Sequence, residues 1–297
     1  MSAGDDDQHV ADPGVPADVP PGHPAGVTNS NVPLVQRRYR LVVAYDGSAF
    51  YGWQRQVHDG VEWRTVQQAV EDAVNRVVKP ADRRISVLGA SRTDTGVHAR
   101  GQVATFDATT RIPLHRFGRA LVTRLPDDVD IRRVDVVPDT FSVFTQVTTK
   151  QYRYRVFNSN ARPLGLRHLV YPCWHRLDLG LMRDAAARIV GTHDFACFSS
   201  AGSVRATTVR TVHACDVEHH DLPGGPEVHL VLRGDGFLYN MVRIIAGTLV
   251  DIGRHHIPPD SVQRMFDTGD RRHGGRTLSP GGLSLEWIRY ADGFCSE

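Results

Sequence analysis

Two stretches of this chain follow the same order of strand and helix patterns, and that repetition limits the fold more than any other feature. Tyr39 to Tyr45 is an apolar, β-rich run ending at Asp46-Gly47, which reads as a strand. An amphipathic helix follows. Thr65 can cap it, with Gln68 three residues on, and Val66, Ala69, Val70, Ala73, Val74 and Val77 recur at helical intervals until Lys79-Pro80 stops it. Strands are predicted at about Arg84 to Leu88 and Gln102 to Phe106, a second helix from Pro113 to about Leu125, and a strand over Ile131 to Val136. Tyr152 to Phe157 starts the order again. A helix over Leu179 to Val190, closed by Gly191, precedes strands near Val209 to Val217 and Val228 to Arg233. A long apolar helix from about Phe237 to Ile252, a short one from Pro259 to Phe266 and a strand over Ser284 to Tyr290 complete the pattern.

The expected fold is therefore α+β, with two ferredoxin-like β-α-β-β-α-β halves whose mixed sheets form a central cleft. The boundary falls near Thr145 to Lys150, dividing an N-terminal domain, 37–147, from a C-terminal domain, 148–297. Residues 1–36 stand apart. They hold five Asp, six of the 17 prolines, no Lys or Arg and no aromatic residue, the composition of a disordered acidic tail. The overall charge of +2 thus leaves +7 on the remaining 261 residues.

Composition excludes several classes. No apolar run approaches the roughly 18 residues that span a bilayer, and the N-terminus lacks a basic segment followed by an apolar one. A cytoplasmic protein without membrane contact is expected. The four cysteines are widely spaced with no C-x-x-C pair, which argues against a disulfide scaffold or a thiolate zinc site. His219-His220 and His255-His256 are sequence neighbours, whose side chains point apart, so neither pair suits a single metal. No dinucleotide, phosphate-loop or nucleophile-elbow motif appears. Cationic residues comprise 33 Arg and only two Lys, and Arg grips phosphate with a planar fork.

The densest polar cluster is Gly89 to Gln102, joining two predicted strands. Asp94 is its only carboxylate before Gln102, flanked by Arg92, His98 and Arg100. Cationic neighbours would hold Asp94 ionised, as suits a nucleophile or a base, although Asp also caps loops by accepting from backbone amides. Asp94-Thr95-Gly96 and Asp267-Thr268-Gly269 are the triplets of an aspartic protease, but that chemistry needs two carboxylates sharing a proton without nearby cations. Arg92 and His98 beside the first triplet, Arg271 and Arg272 after the second, and the many helices oppose it. Rings interleave with cations in Tyr45, Phe50, Tyr51, Trp53 and Arg55, and alternation puts Lys150, Tyr152 and Tyr154 on one strand face. Such interleaving is either core plus solvated charge or the means of holding unstacked bases.

Taken together, these segments resemble the TruA family of tRNA pseudouridine synthases from about Arg38 to Tyr290. The residues that carry the resemblance are Arg92-Thr-Asp-Thr-Gly-Val-His-Ala99 with Gly101-Gln102, Tyr45-Asp46-Gly47 with Gly52 to Gln56, Tyr152-Arg-Tyr154, Gly236 to Arg243 with Gly247, and Gly282 to Leu285. The resemblance implies isomerisation of uridine to pseudouridine without a cofactor or metal, by a homodimer whose basic cleft holds the anticodon arm of tRNA. It implies Asp94 as the essential carboxylate, attacking the nucleotide or assisting deprotonation, Arg243 as its partner, and Tyr152 as a stacking residue that helps move protons. Arg92, His98, Arg55, Gln102 and Tyr154 fall at substrate-binding positions. The chain departs from the family at Phe141-Ser-Val-Phe-Thr145, where the family usually has Phe-His-Ala-Arg-Phe, so Phe144 stands where an Arg is expected. The departure admits two other readings: a paralogue that isomerises another uridine compound for a C-nucleoside pathway, or a non-catalytic RNA-binding relic.

Overall fold

Residues 34–80, 82–200 and 207–297 are described by a computed structural model, in which Leu34–Glu297 is one compact unit. Most of the acidic tail, residues 1–33, lies outside the described residues. The sheet is organised by a strand buried on both faces. β1 (Arg37–Tyr45) buries Tyr39, Leu41 and Val43 against the helices. Burying one such side chain is worth roughly 1.5–3 kcal/mol. On its other face Arg40 is also buried, pairing with Asp135 at 3.4 Å and Asp292 at 3.1 Å, with its guanidinium 3.3 Å above the Phe294 ring.

After β1 come a small hairpin, β2 (Val57–His58) and β3 (Val61–Glu62), then α1 (Val66–Val78), β4 (Leu88–Gly89), β5 (His98–Ala108), α2 (Leu114–Val122) and β6 (Val129–Val137). The later part contains β7 (Val147–Asn158), β8 (Tyr171–Cys173), α3 (Leu179–Ala187), β9 (Gly191–Asp194), β10 (Val209–Leu222), β11 (Gly225–Gly234), α4 (Met241–Gly253), α5 (Ser261–Thr268) and β12 (Leu283–Tyr290). A large mixed sheet runs β6-β1-β5-β12-β7-β11-β10-β9, with β4 on β5 and β8 on β7. The β5–β12 and β7–β8 pairs are parallel and the others antiparallel. Among the described residues no helix is long and apolar enough to cross a membrane.

Several elements differ from the sequence expectation for identifiable reasons. The strand expected over Arg84 to Leu88 shrinks to β4 because side chains of α1 take its backbone groups. Asn75 bonds both the N–H and the C=O of Ile85, while Glu71 accepts from Val87 N and Gln67 donates to Val87 O. Pro113 is the N-cap of α2 rather than its first turn. α3 stops at Ala187, three residues before Val190. α4 starts at Met241 instead of Phe237 because Asn240 adopts φ 61°, outside the helical region. The short strands β2, β3, β8 and β9 fall in segments without period-two patterning and have no counterpart among the expected strands. Thr65 caps α1 through its hydroxyl, and Gly269 ends α5 with φ 67°.

Glu227 on β11 is fully buried, accepting from Arg155 at 2.7 and 2.8 Å and bonded to His229 at 2.8 Å. Burial pushes its carboxyl up, but the bonds from His229 and Arg155 outweigh burial and bring it down to about 2. A depressed carboxylate stabilises the fold above its unfolded value, about 4.3. That stability is lost as pH falls through about 2. Glu227→Gln is expected to cost roughly 3 kcal/mol by leaving the part-buried Arg155 guanidinium without its carboxylate. Denaturant unfolding at pH 7 measures the loss, which should narrow between wild type and variant as pH drops from about 4.3.

Candidate active-site cleft

β5 shares one edge between two partners. Its Ala104 and Thr105 pair with β4, whereas His98 and Ala99 pair with β12. The sheet parts between those partners, and residues Ala90–Val97, which join β4 to β5, cross the opening. A cleft of about 1120 Å³ opens there, lined by this loop, by Lys150 and Tyr152 of β7 and by residues Asp235–Arg243 ahead of and within α4.

The loop is positioned by close backbone packing. Val97 N–H donates to Asp94 O at 3.1 Å across Gly96, whose φ of 78° suits the third position of a type II turn. Trp53 N–H donates to Thr93 O at 3.1 Å, and Gly52 adopts φ 83° where a Cβ would lie 2.5 Å from Thr93 O. Tyr45 and Thr93 share a hydroxyl bond of 2.9 Å. Thus Tyr45, Phe50 and Trp53, which the sequence allowed as base-stacking rings, are buried supports of the loop, while Tyr51 remains half exposed on the cleft.

The sequence-derived site residues divide into two groups. Asp94, Tyr152, Arg243 and Arg92 line the cleft. The Arg243 guanidinium donates to Leu278 O at 2.7 Å and to Asn240 Oδ1 at 2.6 Å, which holds it with Nη1 3.7 Å from Asp94 Oδ2. Gly247 makes this possible: a Cβ there would lie 1.8 Å from Arg276 O, closing the space taken by the segment that carries Leu278. Burial pushes Asp94 above the usual carboxylate range, and Arg243 recovers only part of that shift. This corrects the expectation that neighbouring Arg92 and His98 hold the carboxyl low. The charge acting on Asp94 is Arg243, and desolvation exceeds it.

Tyr152 is buried, packs edge-on against Phe237 with centroids 5.3 Å apart, and bonds Ser91 Oγ at 2.9 Å. Burial, with the Asp94 charge adding to it against the Ser91 bond, pushes the phenol up to about 12, so it is neutral at physiological pH. Lys150 Nζ donates to Ala90 O at 2.9 Å and Ser91 Oγ at 3.3 Å.

The other four sit behind the cleft. Gln102 is fully buried and clamps Ser91, donating to its C=O at 2.5 Å and accepting from its N–H at 3.1 Å. His98 is buried, with Gly47 N–H donating to Nδ1 at 3.1 Å, Asp46 Oδ1 3.2 Å from the same nitrogen, and Nε2 3.0 Å from His168 O. Tyr154 is buried and donates to Ser279 O at 2.8 Å beneath Gly282, where a Cβ would lie 2.8 Å from the ring. Arg55 pairs with Glu62 at 2.5 Å and Glu71 at 3.1 Å. None of the four lines the cleft, and of them Gln102 bonds the loop directly.

Sequence reasoning missed Ser91 and Asn240. Asn240 has a readable signal, since Asn is among the few residues that tolerate positive φ before a helix. The departing segment is a local turn. Ser142 Oγ accepts from Phe144 N and Thr145 N at 3.3 Å each, Phe141 packs against Tyr290, and Phe144 stands exposed on the cleft.

An acid–arginine pair set in a split mixed sheet, with cations and half-exposed rings around it, defines the site. A sequence profile described as tRNA pseudouridine synthase matches residues 41–144 and 185–291. The chain is 39% identical over 254 residues to tRNA pseudouridine synthase A of Acetivibrio thermocellus, covering 86% of this chain and all of that protein. It is 40% identical over 256 residues to tRNA pseudouridine synthase A of Bacillus subtilis, covering 86% of this chain and 99% of the other. A relative in Clostridium perfringens, tRNA pseudouridine synthase A 2, is 37% identical over 254 residues, again covering 86% of this chain and all of that protein. The chain belongs to the TruA family of tRNA pseudouridine synthases.

Gly52→Ala tests the loop packing. Positive φ and the approach to Thr93 O should move the Asp94 backbone and cut turnover on tRNA about 100-fold. Circular dichroism should show the fold retained, and Gly60→Ala, also at positive φ but with open space around its Cβ, should leave turnover near wild type.

Proposed function

We propose that this chain isomerises uridine to pseudouridine in the anticodon arm of tRNA, using Asp94 and no cofactor. The observation that carries the reading is the Asp94–Arg243 pair facing the cleft beside Tyr152, in a chain of this family. In the reaction the bond from the ribose to uracil N1 breaks, the base turns, carbon 5 bonds to the ribose, and the carbon-5 proton leaves as N1 gains one. Asp94, ionised above its raised pKa, is the nucleophile or base. Arg243 aims it and stabilises its charge. Tyr152, a neutral phenol, packs against the uracil and relays a proton through Ser91.

The surroundings support RNA over a free nucleotide. Lys150, Arg92, Arg210 and Arg243 line the cleft against two carboxylates, Asp94 and Asp235, a balance that attracts phosphates. Tyr51, Phe144 and Tyr239 expose about half of each side chain there and offer stacking faces for unpaired bases. The cleft also exceeds the roughly 300–1,000 Å³ of pockets built for small ligands. Arg92 contacts the phosphate or fills the space vacated by the flipped base.

In this reading the protein comprises two ferredoxin-like halves, 37–147 and 148–297. The orders β6-β1-β5-β4 and β12-β7-β11-β10 support it, because each puts the fourth, first, third and second strands of its half side by side. The enzyme acts as a cytoplasmic homodimer.

Tritium release from carbon-5-labelled uridine in tRNA tests the reaction. Wild-type protein should release tritium from tRNA and not from labelled uridine monophosphate, and Asp94→Asn should release none while remaining folded. Release by Asp94→Asn near the wild-type rate, or release only from the nucleotide, would contradict the proposal. Phe144→Ala should raise KM for tRNA several-fold with little change in kcat, as loss of one stacked base predicts.

A further inference from the structure

Away from the cleft, the β10–β11 hairpin brings together three side chains from its two strands. Glu218 stands opposite His229 and His220 opposite Glu227 in the antiparallel register, so all four share one sheet face. Glu218, His220 and His229 each offer a ligand atom, and those atoms lie within 4.8 Å of one another. His220 Nε2 is 3.0 Å from Glu218 Oε2. That separation is near the edge of a tetrahedron with metal–ligand bonds of about 2.1 Å, roughly 3.4 Å. The two imidazole rings are also close, with centroids 4.2 Å apart.

The environment of His229 points to a ligand. It is buried, and its Nε2 bonds at 2.8 Å to the fully buried Glu227, which Arg155 holds in place. A carboxylate behind a histidine fixes the ring and raises the basicity of its other nitrogen, the arrangement that orients histidine ligands at metal centres. Nδ1 is then the nitrogen left for a metal. Glu218 and His220 are more exposed and supply the open side.

We propose that Glu218, His220 and His229 form a divalent transition-metal site, suited to Zn²⁺, that cross-links β10 to β11 and is separate from the Asp94 cleft. Two imidazoles and a carboxylate, with no thiolate, fit Zn²⁺, with water completing four-coordination. The site escapes a reading of adjacent histidines, because His220 finds its partner across the strand and not beside it. His219, next in sequence, is placed on the opposite face by strand alternation.

Calorimetric titration of the full chain with Zn²⁺ tests the site, and Co²⁺ reports its coordination through visible absorption. One equivalent should bind with micromolar affinity, raise Tm and give the intense visible bands of tetrahedral Co²⁺. His220→Gln and Glu218→Gln, at partly exposed positions, should each weaken binding at least tenfold while keeping the metal-free Tm, and His219→Gln should bind as wild type does. Absence of micromolar binding, or equal binding by wild type and His220→Gln, would overturn the site. Failure here leaves the isomerase reading intact, since tritium release from tRNA is measured independently.

Discussion

Everything at the cleft depends on the divided edge of β5. A strand edge offers one row of hydrogen-bonding groups, and here β4 takes the part near Thr105 while β12 takes the part near His98. Two partners on one edge cannot also pair with each other across the gap between them, so the sheet opens and a loop must bridge it. The loop's backbone would otherwise be left without partners. Gln102 therefore supplies both bonds to Ser91, and Gly52 and Gly47 bring neighbouring backbone close enough to support Thr93 and Val97. Asp94 sits at the turn that results. Its position follows from sheet topology first and from local chemistry second.

The electrostatics of Asp94 set one cost against one gain. The carboxyl is desolvated by the cleft walls, and Arg243 at 3.7 Å compensates incompletely. Arg243 does not need Asp94 to stay in place, because Leu278 and Asn240 already fix its fork. A pre-positioned cation at a distance slightly longer than a hydrogen bond can tighten on the carboxylate during reaction without reorganising. A carboxylate held weakly is also a better nucleophile or base than one locked in a bidentate pair. The neutral Tyr152 beside it fits the same economy, since it adds a polar group to the cleft without a second negative charge.

Much of the fold was legible because hydrophobic period reports burial, and the strongly periodic elements β1, α1, β7 and β11 contain the segments that the sequence marks out. Legibility failed where side chains substituted for strand partners, as Asn75 does for Ile85, and where short strands lack a pattern of their own. At the site, the sequence could place Asp94, Tyr152 and Arg243 on separate elements. It could not show that His98 and Tyr154 spend their polar atoms inside the protein, because those partners come from distant positions such as His168 and Ser279. The sign of the Asp94 shift was misjudged for a related reason. Neighbouring charges can be read from sequence, whereas burial cannot.

Burial raises the Asp94 carboxyl, and Arg243 is the charge opposing that rise. The most direct measurement is the carboxyl carbon-13 shift of Asp94, followed by NMR as a function of pH in wild type and Arg243→Gln. The wild-type pKa should lie above the ordinary value of about 3.9 and rise further in the variant. A wild-type value at or below about 3.9, or no upward movement when Arg243 is replaced, would contradict it.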